Sequence, residues 1–327
     1  MKFDVVTVGS AAVDYFADTD SELIRIETRT RKEELIAFPL GSKLLINNLL
    51  ILAGGGGTNT AVTFARLGLS TGYLGKLGED GNGDFIIRNL ATEGIRFIGA
   101  REGQTGLSII LDSIHDDRSI LAFKGANDQL KPQDLPEFSA QWVYLSSMLG
   151  QSFDTVSDMI AAGDYKVAFN PSNYQAVRGY EGLKKLIDKT TLLVMNREEA
   201  CKFLGFSYEE SPTIAALMLE MAKLPPELFV ITDGAEGVYV YDRDALYHGY
   251  PAANLKIVET TGAGDAFAST FTGMILKGLP MEEAIHLAMT NAESVLAHKG
   301  AKEILLGWEE LQRVGAEKTR VIEKSSL

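Results

Sequence analysis

The sequence has a single cysteine and a deficit of basic residues. Cys201 has no second thiol in the chain to pair with, so an internal disulfide is excluded, and the helix-like stretch around it suggests a small buried thiol. Lys and Arg number 31 against 44 Asp and Glu, which gives a net charge of −13 at pH 7. This deficit argues against a nucleic-acid binder. It also means that any anionic ligand must be held by local features, because the charge of the whole molecule repels it.

Long apolar runs are absent as well. No segment approaches the ~18 consecutive apolar residues of a membrane span, and the opening residues MKFDVVTVGS lack the apolar length and cleavage pattern of a signal peptide. We therefore expect a soluble, cytoplasmic protein. Its 327 residues suffice for one large α/β domain, or for a large domain with a smaller one.

What the sequence does contain is a regular alternation of two patterns. Short apolar stretches such as WVYLSS (142–147), LLVMN (192–196) and LFVITDG (228–234) are typical of buried strands. Between them lie stretches with helical spacing, such as TNTAVTFARLG (58–68) and SPTIAALMLEMAK (211–223). The alternation predicts an α/β fold with a central, mostly parallel sheet covered by helices on both faces.

Two excursions break this rhythm, and we call them the lid segments. Residues 15–52 are rich in alternating and β-branched residues, and residues 105–125 have apolar arms around a polar HDDRS connection, as in a hairpin. We interpret both as strands of one small sheet over a ligand crevice, since such lids exclude water on closure. The alternative is ordinary surface hairpins. The main α/β domain would then comprise residues 1–14, 53–104 and 126–327.

Two features near the N-terminus can hold a hydroxyl-rich ligand. Residues 54–57 are four consecutive glycines ahead of a predicted helix that Thr58 or Asn59 could cap. Bare backbone N–H groups at a helix start suit an anion or a hydroxyl, although glycine here can equally relieve a tight connection. Asp14 follows the first predicted strand, where a carboxylate can accept hydrogen bonds from sugar hydroxyls, or can be a solvated loop acid.

A second glycine turn, ETTGAGDAF (259–267), leads into a predicted helix beginning near Asp265. Three interpretations compete: Asp265 caps the helix, the turn binds an anion at the helix N-terminus, or the aspartate is a catalytic base. The earlier glycine run at residues 54–57 is not a P-loop, because no Gly-Lys-Ser/Thr sequence follows it.

Polar residues also end two predicted strands. Asn196 follows one strand, with Glu199 a turn further on, which suits either a helix start or the water-rich shell of Mg²⁺ at the carboxyl edge of the sheet. Thr232 and Gly234 end another strand and Gly237 starts the next, as in an ordinary turn or in one that lines a nucleotide.

Taken together, these stretches resemble the ribokinase/PfkB family of carbohydrate kinases over nearly the whole chain. ETTGAGDAF is similar to the family's C-terminal signature, residues 54–85 resemble its N-terminal signature, and NREE (196–199) matches its Asn-x-x-Glu motif. The resemblance implies a ribokinase-like fold and an ATP-dependent kinase of a sugar. A nucleoside kinase of the same family is the alternative, and a nucleotide-binding regulator without activity is a third hypothesis.

The resemblance also implies roles for individual residues. Asp265 would be the base, with the backbone of Gly262, Ala263 and Gly264 forming an anion hole around the transferred phosphoryl group. Asn196 and Glu199 would organise Mg²⁺ through water. The nucleotide would be bound by Asn196, Thr232, Gly234, Gly237 and Asn291, and the sugar by Asp14, Gly55, Gly56 and Asn59. A monovalent cation such as K⁺ would lie against Glu259 and the Thr261 carbonyl, beside the 297–302 loop.

Three departures from the family pattern affect these expectations. Glu259 stands where the signature usually begins with Asp, and Gly56 stands where ribokinase-like members often have Lys. The first lid segment is also long. A homodimer through the lid segments is a further hypothesis, since exposed sheet edges invite pairing.

Overall fold

The computed structural model describes residues 1–18, 22–28, 32–41, 43–112, 118–253, 255, 257–258, 260–298 and 300–327. The strands of these residues, in chain order, are β1 (Lys2–Val8), β2 (Ala12–Asp18), β3 (Glu22–Glu27), β4 (Lys32–Ala37), β5 (Asn48–Gly54), β6 (Thr71–Leu74), β7 (Lys76–Leu77), β8 (Arg96–Phe97), β9 (Ala100–Arg101), β10 (Gly106–Asp112), β11 (Arg118–Phe123), β12 (Ser139–Leu145), β13 (Lys166–Phe169), β14 (Leu192–Asn196), β15 (Leu228–Thr232), β16 (Val238–Tyr241), β17 (Leu246–Gly249) and β18 (Ile322–Ser325). The α-helices are α1 (Gly56–Arg66), α2 (Gly81–Thr92), α3 (Gly150–Ala162), α4 (Asn173–Ala176), α5 (Gly179–Ile187), α6 (Arg197–Leu204), α7 (Ile214–Met221), α8 (Ala263–Leu276), α9 (Met281–Leu296) and α10 (Trp308–Glu317). None of the helices found in these ranges combines the length and the apolarity needed to cross a bilayer.

The predicted central sheet is confirmed. Its strand order is β18-β17-β16-β15-β14-β13-β12-β1-β6-β8. All neighbours from β8 to β15 pair in parallel, and β15 to β18 continue the sheet as an antiparallel edge. The three strands named from the sequence, β12, β14 and β15, are among the parallel ones. Helices that cross over the sheet join β12 to β13 and β14 to β15, as parallel pairing requires.

Both faces of this sheet are covered, as predicted. Val6 and Val8 of β1 pack into a cluster with residues of α3, α5, α6 and α7, whereas Val5 faces a second cluster with residues of α1, α8, α9 and α10. Successive strand residues point to opposite faces. A strand buried on both faces therefore reads as a continuous apolar run, which is the pattern seen in VVTV and LLVM.

A separate four-stranded sheet joins the two lid segments, in the order β11-β10-β2-β5. Strand β10 pairs in parallel with β2, so Ser108 lies opposite Asp14, and β11 forms the predicted hairpin with β10. The connection of that hairpin, residues 113–117, lies outside the described residues.

One part of the small-sheet prediction is wrong. Strands β3 and β4 pair with each other as an independent two-stranded ribbon and do not join the four-stranded sheet. Their short connection favours local antiparallel pairing. Strand β5 takes the place beside β2 instead.

Close packing of α1 against β1 fixes where the site forms, and Gly57 is the residue that allows it. A Cβ atom on Gly57 would lie 2.7 Å from the carbonyl carbon of Gly9 and 2.8 Å from Cε2 of Tyr73. We therefore expect Gly57→Ala to lower the free energy of unfolding by about 2–3 kcal/mol, because the helix must shift away from the strand. Chemical denaturation and calorimetry would measure it.

Gly264 provides a matched control, because it is also the second residue of its helix. No heavy atom lies within 4 Å of a Cβ placed there. Gly264→Ala should leave stability unchanged or raise it by up to about 1 kcal/mol, since alanine favours helix. Equal losses in the two variants would contradict the argument.

Candidate active site

The carboxyl ends of the parallel strands bring polar residues to one cavity of about 360 Å³. Ser10 follows β1, Ser146 follows β12 and Asn170 follows β13, while Asn196 and Thr232 are the last residues of β14 and β15. Parallel strands all end at the same edge of a sheet, which is where open α/β sheets bind ligands. We call this the polar cavity.

Two helix N-termini meet at the polar cavity. Gly56 begins α1, and Gly262 precedes α8 as its N-cap, in the left-handed region with φ of 83°. A Cβ on Gly262 would lie 2.6 Å from Cα of Ala301, so only glycine fits. The first N–H groups of a helix have no acceptor within the helix, and the helix dipole adds partial positive charge there. The cavity is therefore suited to an anion.

The predicted helix starts need two corrections. Helix α1 begins at Gly56, after Gly55 with φ of 98°, so neither Thr58 nor Asn59 caps it; both are buried in its first turn. The glycine run is divided between three elements: Gly54 ends β5, Gly55 forms the turn, and Gly56 and Gly57 already adopt helical geometry. Asp265 is likewise the third residue of α8 and not its cap, which removes the simplest structural explanation for this aspartate.

Asp265 lies at the end of the polar cavity, beside both helix N-termini. Its Oδ2 accepts a hydrogen bond from Asn59 Nδ2 at 3.1 Å, and a Cβ on Gly56 would lie 3.6 Å from its Oδ1. Burial raises the pKa of Asp265, and the bond from Asn59 opposes this shift. A carboxylate with raised proton affinity facing a cavity can take a proton from a bound hydroxyl.

Asn196 and Glu199 form a capping box at the start of α6. Asn196 Oδ1 accepts from the Glu199 N–H at 2.8 Å, and Glu199 Oε2 accepts from the Asn196 N–H at 2.9 Å. The helix-start interpretation is thus confirmed, yet both residues also line the polar cavity. Burial raises the pKa of Glu199 to about 7, and the charges of Glu198 and Asp265 act in the same direction, against the bond from Asn196.

Glu199 is the carboxylate that could interact with a cation in this part of the polar cavity, and its Oε2 already accepts a hydrogen bond from the Asn196 N–H. A cation there would be held mainly by other ligands. Nowhere in the described residues do three or more His, Cys, Asp or Glu side chains cluster as a metal site. A divalent cation beside Glu199 would need its remaining ligands from water and from a bound anion, which is how Mg²⁺ is usually held with phosphates.

A second, mostly apolar cavity of about 480 Å³ adjoins the first, and the two share Thr232 and Gly264 as lining residues. We call it the apolar cavity. The predicted residues Gly234 and Gly237 line it, and so does Ala263. Its apolar walls include Val238, Pro251, Leu255, Ile257, Met289 and Leu296. A slot of this kind suits a flat, largely apolar ring system.

Asn291 does not line the apolar cavity. Its side chain is fully buried, with Nδ2 donating to Thr270 Oγ1 at 2.8 Å and Oδ1 accepting from the Leu306 N–H at 2.9 Å. On α9 the residues that face the cavity are Met289, Ala292, Glu293 and Leu296, which share one side of the helix at spacings of three and four. Asn291 points to the other side, and a direct contact with a ligand in this cavity does not fit the geometry.

The other predicted residues lie around these cavities. Asp14 is in β2 of the small sheet, partly buried, with its carboxylate directly against Gly54. Thr261 lies in the turn that leads to Gly262. Glu259 lies outside the described residues, so the predicted monovalent-cation site stays a prediction.

The polar cavity also contains residues that we did not predict. Ser10, Ser146, Ser147, Asn170 and Ser172 line it. Ser146 and Asn170 directly follow a parallel strand, and the other three lie two or three residues beyond the end of one. The rule that pointed to Asn196 would have found them had it been applied to every strand end.

Comparison with known proteins places this arrangement in a family. The family model described as pfkB family carbohydrate kinase matches residues 3–306. A fructokinase of Klebsiella pneumoniae is 30% identical over 288 residues, which cover 81% of this chain and 92% of that protein.

Solved structures of ribokinases share the fold. The ribokinase of Thermotoga maritima superimposes with a TM-score of 0.77 at 22% identity, over 95% of this chain and 99% of that one. The Arabidopsis thaliana ribokinase complexed with ribose and ATP has a TM-score of 0.73 at 22% identity, over 96% and 99%.

The raised pKa of Glu199 predicts how stability depends on pH. The unfolded chain releases this proton near the ordinary value of 4.5, whereas the folded protein retains it to about pH 7. Because the folded state binds the extra proton, rising pH destabilises it between these two values. Glutamine at position 199 cannot ionise and still accepts the bond from Asn196. The stability of Glu199→Gln relative to the wild type should therefore increase by about 2–3 kcal/mol between pH 5 and pH 8.

Chemical denaturation of the ligand-free protein across this pH range would test the expectation. Glu317→Gln is the control, because the Glu317 side chain is 65% exposed on α10, which covers the opposite face of the large sheet from α6. It should not reproduce the relative gain in stability expected for Glu199→Gln. Parallel pH curves for Glu199→Gln and the wild type would contradict the assignment.

Proposed function

Because the chain belongs to the pfkB family of carbohydrate kinases, we propose that it transfers the terminal phosphoryl group of ATP to a hydroxyl group of a sugar. The observation that carries the proposal is the junction of the two cavities at the N-terminus of α8. An elongated ligand with an apolar head and an anionic tail fits this path, and Asp265 lies at its polar end.

The nucleotide would bind with its base in the apolar cavity. Thr232, Gly234 and Gly237 would line the base and ribose, and the shared residues Thr232 and Gly264 would mark where the phosphates begin. The Arabidopsis ribokinase, which has the same fold, is a complex with ribose and ATP. This supports ATP as the donor.

Backbone groups would stabilise the transferring phosphoryl group. The residues that line the polar cavity within the described ranges include neither Lys nor Arg. The N–H groups of residues 262–265 would therefore form the anion hole, supported by the dipole of α8. A protein with a net charge of −13 needs such local positive potential to hold a triphosphate.

Asp265 would act as the general base. The proton of the acceptor hydroxyl passes to the Asp265 carboxylate, and the acceptor oxygen bonds to the γ-phosphorus. The bond from that phosphorus to the bridging oxygen breaks, and ADP leaves. Asn59 would hold Asp265 in position through the bond at 3.1 Å.

Asn196 and Glu199 would position Mg²⁺ through water. When bound, Mg²⁺ screens the charge of the triphosphate. The Glu199 carboxylate would accept stronger hydrogen bonds from such waters when it is ionised than when it is protonated, and burial raises its pKa to about 7.

The acceptor would bind between the polar cavity and the small sheet. Asp14 and Asn59 would contact sugar hydroxyls, with the backbone of Gly55 and Gly56 allowing close approach. A sugar is favoured over a nucleoside because the curated relative with 30% identity is a fructokinase. The lid segments would close over the acceptor and exclude water.

A panel of sugars and nucleosides with coupled detection of ADP tests the function, and Asp265→Asn tests the base. We expect turnover with at least one sugar, and a loss of about 10²–10⁴-fold in kcat for Asp265→Asn, because a positioned general base contributes that much. Binding of ADP, measured by calorimetry, should be retained.

Asp158→Asn is the control, because the Asp158 side chain is 72% exposed on α3, and it should keep full activity. Turnover with nucleosides alone would establish the alternative acceptor. If no acceptor yields ADP, the kinase proposal fails, and near-normal kcat in Asp265→Asn would remove Asp265 as the base.

We also propose that the lid segments mediate a homodimer. Strand β11 is an edge of the small sheet, with Ile120 52% and Leu121 58% exposed. The opposite edge strand β5 exposes Leu49 and Ile51 to similar extents. Open edges with apolar side chains favour pairing with another sheet.

Light scattering should give twice the mass of the chain for the wild type and a shift toward the single chain for Leu121→Glu, because the new charge would be buried in the interface. Leu219→Glu on α7, with Leu219 52% exposed, should leave the mass unchanged. A wild type that is monomeric at micromolar concentration argues against the dimer.

A further inference from the structure

The last 21 residues of the chain lie beyond the region matched by the family model, which ends at residue 306. They form α10, which packs through Leu311 into the cluster that also contains residues of α8 and α9. They then form β18, which pairs antiparallel with β17 and is the outermost strand of the large sheet. The segment is therefore an integrated part of the fold.

Arg320, between α10 and β18, ties this segment to the loop after β17. Its side chain is 1% exposed. Nη1 donates to the Tyr250 carbonyl at 2.7 Å, and Nη2 donates to Glu293 Oε1 at 2.8 Å. The Tyr250 N–H donates to the Val321 carbonyl at 3.1 Å. The C-terminal segment thus holds both backbone groups of Tyr250.

Glu293 of α9 completes the cluster. Its side chain is 5% exposed, and it accepts from the Ala252 N–H at 3.0 Å and from Lys318 Nζ at 2.7 Å, in addition to Arg320. Burial alone would raise the pKa of Glu293, but the bonds from Lys318 and Ala252 and the charge of Arg320 hold it below its usual value. One ionised carboxylate therefore joins α9, the loop and the C-terminal segment.

This cluster lies directly behind one wall of the apolar cavity. Glu293 and Pro251 both line that cavity. A Cβ on Gly237 would meet the Gly249 carbonyl oxygen and would lie 3.2 Å from Cδ of Pro251, so the turn at Gly237 is in close contact with the wall. A shift of residues 250–252 would consequently change the width of the cavity.

The chemistry of this cluster indicates that it fixes the positions of the groups it joins. Arg320 and Glu293 are buried, whereas Lys318 is 28% exposed. A buried ion pair is generally no more stabilising than apolar residues of similar size. Bonds from a guanidinium fork, however, are directional and fix two acceptors relative to each other. Here the two acceptors are the Tyr250 carbonyl in the loop and the Glu293 carboxylate on α9. The guanidinium of Arg320 therefore joins the loop to α9.

We propose that Arg320 is a positioning residue for the nucleotide. It fixes residues 250–252 against α9 so that the apolar cavity is formed before the ligand binds, and the C-terminal segment contributes to donor affinity in this way. The inference rests on the proposed function in that it takes the base of ATP as the occupant of this cavity.

Arg320→Ala and Lys318→Ala separate positioning from general packing. Lys318 Nζ donates to the same carboxylate, and among the described residues none of the hydrogen bonds of Lys318 reaches residues 250–252. We expect Arg320→Ala to raise the KM for ATP about five- to tenfold, as expected for loss of hydrogen bonds to a charged group. The KM for the acceptor and the kcat at saturating ATP should change less than about twofold, because Arg320 lies behind the base and not beside the phosphates. Lys318→Ala should change the KM for ATP less than about twofold.

Arg320→Lys keeps the charge but replaces the two-pronged fork by a single ammonium, and its KM for ATP should lie between those of the wild type and Arg320→Ala. If Arg320→Ala does not fold, this variant carries the test. Titration of each variant with ADP in a calorimeter should reproduce the order without any turnover.

An unchanged KM for ATP in Arg320→Ala, or equal changes in both KM values, would overturn the proposal. So would an effect of Lys318→Ala as large as that of Arg320→Ala. If the wild type binds ADP but phosphorylates no acceptor, the kinase function fails while the ADP titrations still decide the role of Arg320. If the wild type binds no ADP, both proposals fall.

Discussion

The hydrogen bond from Asn59 to Asp265 joins residues 206 positions apart in the chain, and the polar cavity depends on it. The donor belongs to the first turn of α1 and the acceptor to the first turn of α8, so the bond forms only if both helices begin at the right place. Glycine makes this possible. Gly57 allows α1 to approach Gly9, and Gly262 allows the turn before α8 to approach Ala301. A side chain at either glycine would move a helix start, and the carboxylate would lose the group that orients it.

Burial reduces the negative charge of the carboxylates that face the polar cavity. The protein is acidic, and two carboxylates face a space that suits an anion. Both have raised pKa values because burial disfavours their ionised forms. As long as no cation lies beside it, Glu199 is therefore only partly ionised near neutral pH, which reduces its repulsion of an anion. A cation bound beside it would favour the ionised form, so binding of cation and anion should be linked to release of a proton.

The sequence sufficed for much of the fold and for part of the site. Alternation of apolar runs and helical spacing predicted the parallel sheet, since local pattern determines which segments are strands. It did not predict that β3 and β4 pair only with each other, because the pattern of a strand does not reveal whether a local hairpin also joins a larger sheet. The rule about strand ends identified Asn196 and Thr232 but was not applied to Ser146 or Asn170. The resemblance implied that Asn291 binds the nucleotide, yet the face that Asn291 presents depends on how α9 packs. Strand β18, IEKS, is short and charged, and its partner β17 lies more than 70 residues earlier, so no local pattern reveals it.

Different parts of the fold determine the shapes of the two cavities. Ligand binding in the apolar cavity can therefore change while the groups of the polar cavity keep their positions. The polar cavity is bounded by α8, whose start is fixed by Asn59 and by the loop at Ala301. The apolar cavity is bounded on one side by residues 250–252, a loop that depends on Glu293 and on the C-terminal segment. Loops are less constrained than helix starts in a packed core. Under the proposed function, a change in the C-terminal segment would therefore alter how firmly the nucleobase of ATP is held while leaving α8 in place. Variation at the apolar cavity would then adjust donor binding without disturbing the hydrogen bond between Asn59 and Asp265.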